Sequence, residues 1–517
     1  MRCRTPRSMA ALHALVMLVV ALVLSACSVG ERVDVSGGAE FQPTDNTLLA
    51  AIAGEPDQLD PHVTTSYFSF QVLENVYDTL VEPDEQLRMQ PALATEWTTS
   101  ADNLTWTFTL RDGVTFHDGS PFTSEDVVYS FRRIIDEELS SSWRLTAVKS
   151  VTAPDPRTVV FTLTQPTPHF LTTIGSFKGL AIVSKANVDA GRIQTRPVGT
   201  GPFSVASFTA GDDITLRANP QYWGGAPQVD GAVIRFIPEP STAMAALRSG
   251  EVHWTDAVPP QDVPILAKDS TVHLGRTPSN DYWYVTLNEA RKPFDDVRVR
   301  QAVAFAIDRD SVAQAAKYGA AQVNQTAIPA SSPWYLEHAP YTHDPERARQ
   351  LLQEAGVGDL SVELMVTSEY PETVTIAQVL ADQLSQAGIR MTIRTLDFAT
   401  WLDEQGQGNW DSLMLGWLGN NDPDDYYYGQ HHSKGTNNFQ KYSNPEVDRL
   451  LDAGRAQMDE AARKKTYDQA ATIIVDEASY IYLYNPDVLQ VWSPNLHGYT
   501  TRSDRAVRFR DVSIGGE

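Results

Sequence analysis

NLTWTFTLRDGVTFHDGSPFTSEDVVYSF, residues 103–131, decides the fold. Leu104, Trp106, Phe108 and Leu110 alternate with Thr105, Thr107 and Thr109, the period of a strand with one buried face. Arg111-Asp112-Gly113 is a turn, with Gly113 at the position that favours positive φ. Val114 and Phe116 resume the alternation, which predicts a hairpin. His117 to Pro121 breaks the chain again. Thr123 then caps a helix with Asp126 as its reciprocal partner, and Val127, Val128, Phe131, Ile134 and Ile135 supply the apolar face. These residues alone predict a piece of α/β scaffold.

Working outward, Thr47 to Ala53 reads as a strand and Phe68 to Leu80 as a helix. Strands at Ser150–Ala153 and Thr158–Leu163 flank a Pro-Asp-Pro turn, and Thr242–Arg248 is a helix stopped by Gly250. Asp344 caps a helix with Pro345 in its first turn and Gly356 beyond its end. Further helices are predicted from Pro371 to Ala387, from Pro445, and from Glu460 to Val475. Strands are predicted at Ile389–Leu396 and Tyr480–Tyr484.

The 517 residues require more than one hydrophobic core, and 42% apolar residues fit a globular body. A net charge of −24 argues against nucleic acid and anionic membrane surfaces as partners. Arg2, Arg4 and Arg7 precede an apolar run from Ala14 to Leu24, too short to span a bilayer but suited to an export signal. Only Cys3 and Cys27 occur, so a chain that loses Cys3 with its signal has no disulfide and depends on its core for stability. Ser28 to Asn46 is small and polar and reads as a spacer.

Two tandem motifs carry a resemblance. Leu110-Arg111-Asp112-Gly113-Val114-x-Phe116, followed by Asp118-Gly119-x-Pro121-Phe122-Thr123-x-Glu125-Asp126-Val127, resembles the signature of the family 5 extracellular solute-binding proteins. These are receptors of ABC importers for dipeptides, oligopeptides or nickel. Glu55–Pro61, Pro197–Phe203, Asn219–Pro227 and Phe294–Arg309 match further boxes of that family, and Leu24-Ser25-Ala26-Cys27 resembles a bacterial lipobox. The resemblance spans nearly everything from Thr47 onward. It implies an α/β, two-lobed periplasmic-binding-protein-like fold with an extra subdomain in the first lobe. The implied divisions are a lipoprotein signal at 1–26, a spacer at 27–46, lobe 1 at 47–283 plus 478–517, and lobe 2 at 284–477. It also implies lipidation of Cys27, placement outside the cytoplasm on the cell membrane, a monomer, and delivery of solute to permease subunits and their ATPases.

No Gly-x-Ser-x-Gly, His-Glu-x-x-His, Cys-x-x-Cys or nucleotide-binding loop is present, so no catalytic role and no cofactor is expected. His431-His432 is read as surface polarity rather than a metal site, because adjacent residues do not converge on a helix. The informative stretch is Asp411–Tyr428, in which an apolar strand runs through Trp417 into the polar turn Asn420–Asp425. The resemblance makes this the segment whose first Asp holds a peptide's ammonium. Here that position is Asn420, the loop is one residue short, and Asp422 is the alternative. The loop near Thr367–Glu372 also lacks the Arg that dipeptide receptors use for the ligand carboxylate. Expected ligand contacts are Tyr67, Phe68, Trp401, Trp417, Asn420, Asn421 and Asp422. An oligopeptide is the expected solute. Aromatic richness around Trp401, Trp410 and Trp417 keeps oligosaccharide open, and nickel is a further option. Rivals from other classes are a secreted lipoprotein hydrolase and an adhesion or sensory lipoprotein.

Overall fold

The computed structural model describes residues 32–34, 41–177, 179–368, 370–419 and 421–515. The export signal, Cys27, much of the spacer and Asn420 lie outside the described residues.

The strand Thr105–Leu110 buries Trp106, Phe108 and Leu110 and leaves the threonines half-buried. It is an inner strand of a four-stranded antiparallel sheet, flanked by Ala94–Thr99 and Thr158–Leu163, with Val148–Asp155 outermost. Both of its hydrogen-bonding edges are therefore occupied, and the expected hairpin onto Val114–Phe116 does not form. That segment makes one isolated bridge, Thr115 to Pro121, and drops Val114 and Phe116 into the core instead. The helix Ser124–Asp136 starts at a reciprocal Thr123–Asp126 capping box and buries Val127, Phe131 and Ile134.

A sheet of 13 strands runs through the rest of the molecule. Its spine is the strand Ile481–Trp492, which is longer than Tyr480–Tyr484. At one end of this strand lie His273–Pro278 and Trp254–Thr255. At the other lies Tyr282–Leu287, which leads on to Ser412–Trp417, Leu360–Thr367 and Ile389–Leu396. The second half has the parallel pairing of Leu360–Thr367 with Ile389–Leu396, with the helix Pro371–Gln386 as its crossover. One large apolar cluster draws on residues from Tyr282 to Tyr484. Three others draw on residues from Leu48 to Val272 and on the returning tail through Val512.

The helix expected over Phe68–Leu80 is only Tyr67–Leu73. Asn75 ends it: the Asn75 carbonyl accepts Phe203 N–H, its amide donates to the carbonyls of Gln71 and Val507, and Val76 accepts Gly201 N–H. Gly199 and Gly201 allow this approach, since a Cβ on Gly199 would stand 2.0 Å from the Val76 carbonyl oxygen. The box Pro197–Phe203 is thus a backbone clamp on the Tyr67 helix rather than a ligand loop.

Candidate functional site

The strand Ser412–Trp417 runs antiparallel to Tyr282–Leu287 and ends where the chain crosses between halves. Gly419 then passes so close to Asn280 that a Cβ would lie 1.6 Å from its carbonyl oxygen. Gly419 N–H donates to Asp281 Oδ1 at 3.0 Å, Asn280 Nδ2 donates to Asn421 Oδ1 at 2.8 Å, and Tyr426 Oη donates to the Asn280 carbonyl at 2.9 Å. The loop after Trp417 is thereby fixed onto the crossing at 279–281. The second crossing is tied in as well, because Asn485 Nδ2 donates to the Asp281 carbonyl at 2.8 Å.

Facing this loop are the Tyr67 helix and the C-terminal tail of the first half. Tyr67 Oη donates to the Arg505 carbonyl at 3.2 Å, and the Arg505 guanidinium lies 4.1 Å from the Tyr67 ring centre. Arg505 Nη1 also donates to Asp281 Oδ2 at 2.9 Å, joining tail to crossing. Phe68 fills the space above Gly54.

Two adjacent cavities lie here. One has Gly419 and Asn421 on one wall and Glu74, Pro83, Phe177, Asp504 and Arg508 on the other. The second is lined by Asp78, Glu82, Tyr222 and Arg510 among others, and shares Glu74, Phe177 and Arg508 with the first. The first therefore lies between the two halves, and the second continues it into the first half.

The charged wall is heavily paired. Arg502 holds Asp504 at 3.0 and 2.9 Å; burial would raise the Asp504 carboxyl, but the Arg502 charge and hydrogen bonds bring it below the usual carboxylate range. Asp78 accepts from Thr200, Trp223 and Tyr222, yet burial still lifts its carboxyl above that range. Glu82 is shared between Arg508 and Arg510.

Of the residues expected at the site, Gly419's neighbour Asn421 lines a cavity, Tyr67 and Phe68 sit on the facing helix, and Trp417 is half-buried against the second-half core. Two expectations are corrected. Trp401 is fully buried and its indole donates to the Met365 carbonyl, because the apolar stripe of the helix Phe398–Gln407 faces the core. Asp422 is 3% exposed; it caps the helix Pro423–His431 and binds Arg463 through two hydrogen bonds of 2.7 and 2.6 Å. Burial would raise its carboxyl, but Arg463 more than compensates and holds it low. Its charge is spent within the second half. His431 is not surface polarity either: it is wholly buried between Ser479 and Tyr482, and burial lowers it to about 3. Among the described residues, no group of three or more His, Cys, Asp or Glu could hold a metal ion, and no helix is long and apolar enough to cross a membrane.

Sequence reasoning missed Glu74, Phe177, Asp504 and Arg508. The available signal was the tail itself, where Arg502, Arg505, Arg508 and Arg510 fall among Asp504 and Asp511. Only the return of that tail to the Tyr67 helix gives the charges a site.

Two half-molecules joined by paired crossings, with a cleft lined from both, have the architecture of a binding protein that closes on a solute. The family described as bacterial extracellular solute-binding proteins, family 5 Middle, matches residues 88–439, and the chain belongs to it. Its members are binding proteins of transporters, so the chain is a solute-binding protein and not an enzyme, which removes the hydrolase reading. Protein XP55 of Streptomyces lividans is 30% identical, with 96% of this chain and 94% of that protein covered. The dipeptide-binding protein of Escherichia coli K12 is 28% identical over 90% of this chain and 94% of its own. The ABC transporter-associated periplasmic binding protein DppA of Helicobacter pylori, solved with the peptide STSA, is 28% identical, covers 90% of this chain and 98% of its own, and superposes with a TM-score of 0.80.

Proposed function

We propose that this chain captures a small peptide between two lobes and passes it to the permease of an ABC importer, working as a monomer tethered through lipid on Cys27. The observation that carries the reading is the cleft walled by Gly419 and Asn421 on one side and Glu74, Asp504 and Arg508 on the other. A ligand there touches both halves at once, so it stabilises the closed state over any open one. The chain up to the crossing at 279–281, with the tail beyond Asn485, forms one lobe and the chain between the crossings the other, a few residues from the expected boundaries at 283/284 and 477/478. Trp417, Asn420 and Asn421 meet the ligand from one lobe, and Tyr67 and Phe68 border it from the other. Peptide is favoured as the class by the dipeptide-binding relative and the peptide-holding Helicobacter protein.

The test is mass spectrometry of solute released from the purified protein, with thermal shift against di-, tri- and tetrapeptides, oligosaccharides and Ni²⁺. A peptide at a hundredfold excess over its Kd adds about 2.7 kcal/mol to folding stability and raises Tm accordingly. A shift with oligosaccharide or Ni²⁺ alone overturns the peptide reading.

A further inference from the structure

The polar stretch ahead of the first half is not a free leash along its whole length. Arg32–Asp34 adds a strand to the outer edge of Phe203–Thr209. The pairing is antiparallel, with Arg32 opposite Thr209, Val33 opposite Phe208 and Asp34 opposite Ser207. It occupies backbone donors and acceptors that a bare sheet edge would leave unpaired, beside the buried Ser207 and Thr209.

The stretch is fastened again further on. The Arg217 guanidinium lies 5.9 Å from the Phe41 ring centre, and a Cβ on Gly231 would stand 2.7 Å from Phe41 Cζ, so glycine leaves room for the ring. Arg217 and Gly231 are opposite each other on the paired strands Asp213–Ala218 and Gly231–Phe236. Thr44 Oγ1 donates to Asp230 Oδ2 at 2.6 Å. Asn46 Nδ2 donates to the Gln228 carbonyl at 3.0 Å and to Asp230 Oδ1 at 3.2 Å.

Arg32–Asp34 is one end of the strand order of the large sheet, and Ile389–Leu396, in the second half, is the other, with nine strands between them. Cys27 is five residues before Arg32 and fourteen before Phe41. A chain spans at most about 3.5 Å per residue. A lipid on Cys27 therefore stays within about 18 Å of the paired strand, against about 50 Å if Phe41 were the first fixed point.

We infer that Arg32–Asp34 is a docking strand that fastens the lipid anchor to the first half, so that the sheet edge at Phe203–Thr209 faces the lipid surface and the second half is the lobe that swings. The inference rests on the tether at Cys27 and adds which face of the receptor meets the membrane and which lobe stays still. Charge does not supply this orientation, because a chain of net charge −24 is not drawn to anionic headgroups. Backbone pairing supplies it.

The experiment reconstitutes the mature, lipidated chain into phosphatidylcholine vesicles carrying an acceptor-labelled lipid. With Cys3 lost and Cys27 blocked by lipid, an introduced cysteine is the one reactive thiol. A donor dye is placed at Ala210→Cys, in the exposed turn after Thr209, or at Thr392→Cys, exposed on Ile389–Leu396. Strong energy transfer is expected from position 210 and weak transfer from 392. The double variant Val33→Pro, Asp34→Pro removes the pairing whichever way the strand faces, because successive N–H groups point to opposite sides and proline has none. It is expected to lower transfer at 210 toward that at 392 and to leave the amount of vesicle-bound protein unchanged. Hydrogen exchange reads the pairing directly: the outward N–H groups of Phe203–Thr209 are expected to exchange slowly in the unaltered chain and fast in the double variant. Equal transfer from 210 and 392 in the unaltered chain overturns the inference, as do transfer and exchange that the prolines leave unchanged; in both cases the tether and solute capture stand. Protein that stays off the vesicles with a bare Cys27 thiol overturns the tether and the inference together.

Discussion

Asn421 and Asp422 are neighbours in the chain and opposite in role. Asn421 faces the cavity, whereas Asp422 turns inward to Arg463. Removing one member of a buried, doubly hydrogen-bonded ion pair leaves the other charge uncompensated, at a cost of about 3–5 kcal/mol. Asp422→Ala is therefore expected to lower the urea midpoint sharply. A ligand residue at this position would instead weaken binding while leaving the midpoint in place, and equilibrium unfolding beside calorimetry distinguishes the two. His431 gives a second residue-scale test. Burial depresses its folded value to about 3 from an ordinary 6.5. The unfolded chain therefore takes up a proton that the folded chain refuses, and the stability contributed by neutral His431 is complete above pH 6.5 and is lost as pH falls toward 3. Between about pH 6 and 4 this one group contributes a slope of about 1.4 kcal/mol per pH unit. Unfolding free energies of His431→Gln, measured across that range, are expected to fall less steeply than those of the unaltered chain by about this amount.

At the scale of the element, the capping box at Thr123 was legible because reciprocal side-chain-to-backbone bonds span only three residues. Thr123→Ala is expected to cost about 1 kcal/mol, seen as a lower Tm with no change in solute affinity. The helices opening at Asp344 and Asn444 were legible for the same reason: cap, proline and stop signal are local. The missed hairpin at Val114–Phe116 shows the limit. The alternation is real, and both side chains are buried, but whether a strand forms depends on which neighbours reach Thr105–Leu110 first in space. The overlong helix after Phe68 has the same origin, since Asn75 leaves helical pairing to meet Phe203 and Val507, far away in sequence. Candidate site residues divide along that line. Asn421 was readable because it follows a buried strand into a polar turn. Trp401 was misread because an aromatic on an amphipathic helix carries no mark of which way its stripe faces. Arg508 was invisible because its partners, Glu74 and Glu82, are more than 400 positions away.

On the scale of the whole molecule, the two halves meet beyond the crossings as well. His169 of the first half lies 4.0 Å from Asp424 of the second, and the Arg144 charge opposes the effect of burial on the Asp425 carboxyl, which nonetheless stays raised. Asp424 is already held by Arg455 and Tyr467, so its position does not depend on the first half. Asp425 draws on Arg144 only while the halves are together. Opening the cleft separates those charges and lets water reach Asp425, so their attraction favours the closed state. Arg144→Gln is accordingly expected to leave the unfolding midpoint of the solute-free protein nearly unchanged. It is expected to weaken solute binding several-fold, chiefly through faster dissociation, because escape requires the closed pair to part. Small-angle scattering supplies the geometric check. Saturating solute is expected to shrink the radius of gyration of the unaltered protein, and Arg144→Gln to need more solute to reach the same compact form. A variant that binds and compacts like the unaltered chain would show that the cleft closes on ligand contacts and crossings alone, with no help from the outer charges.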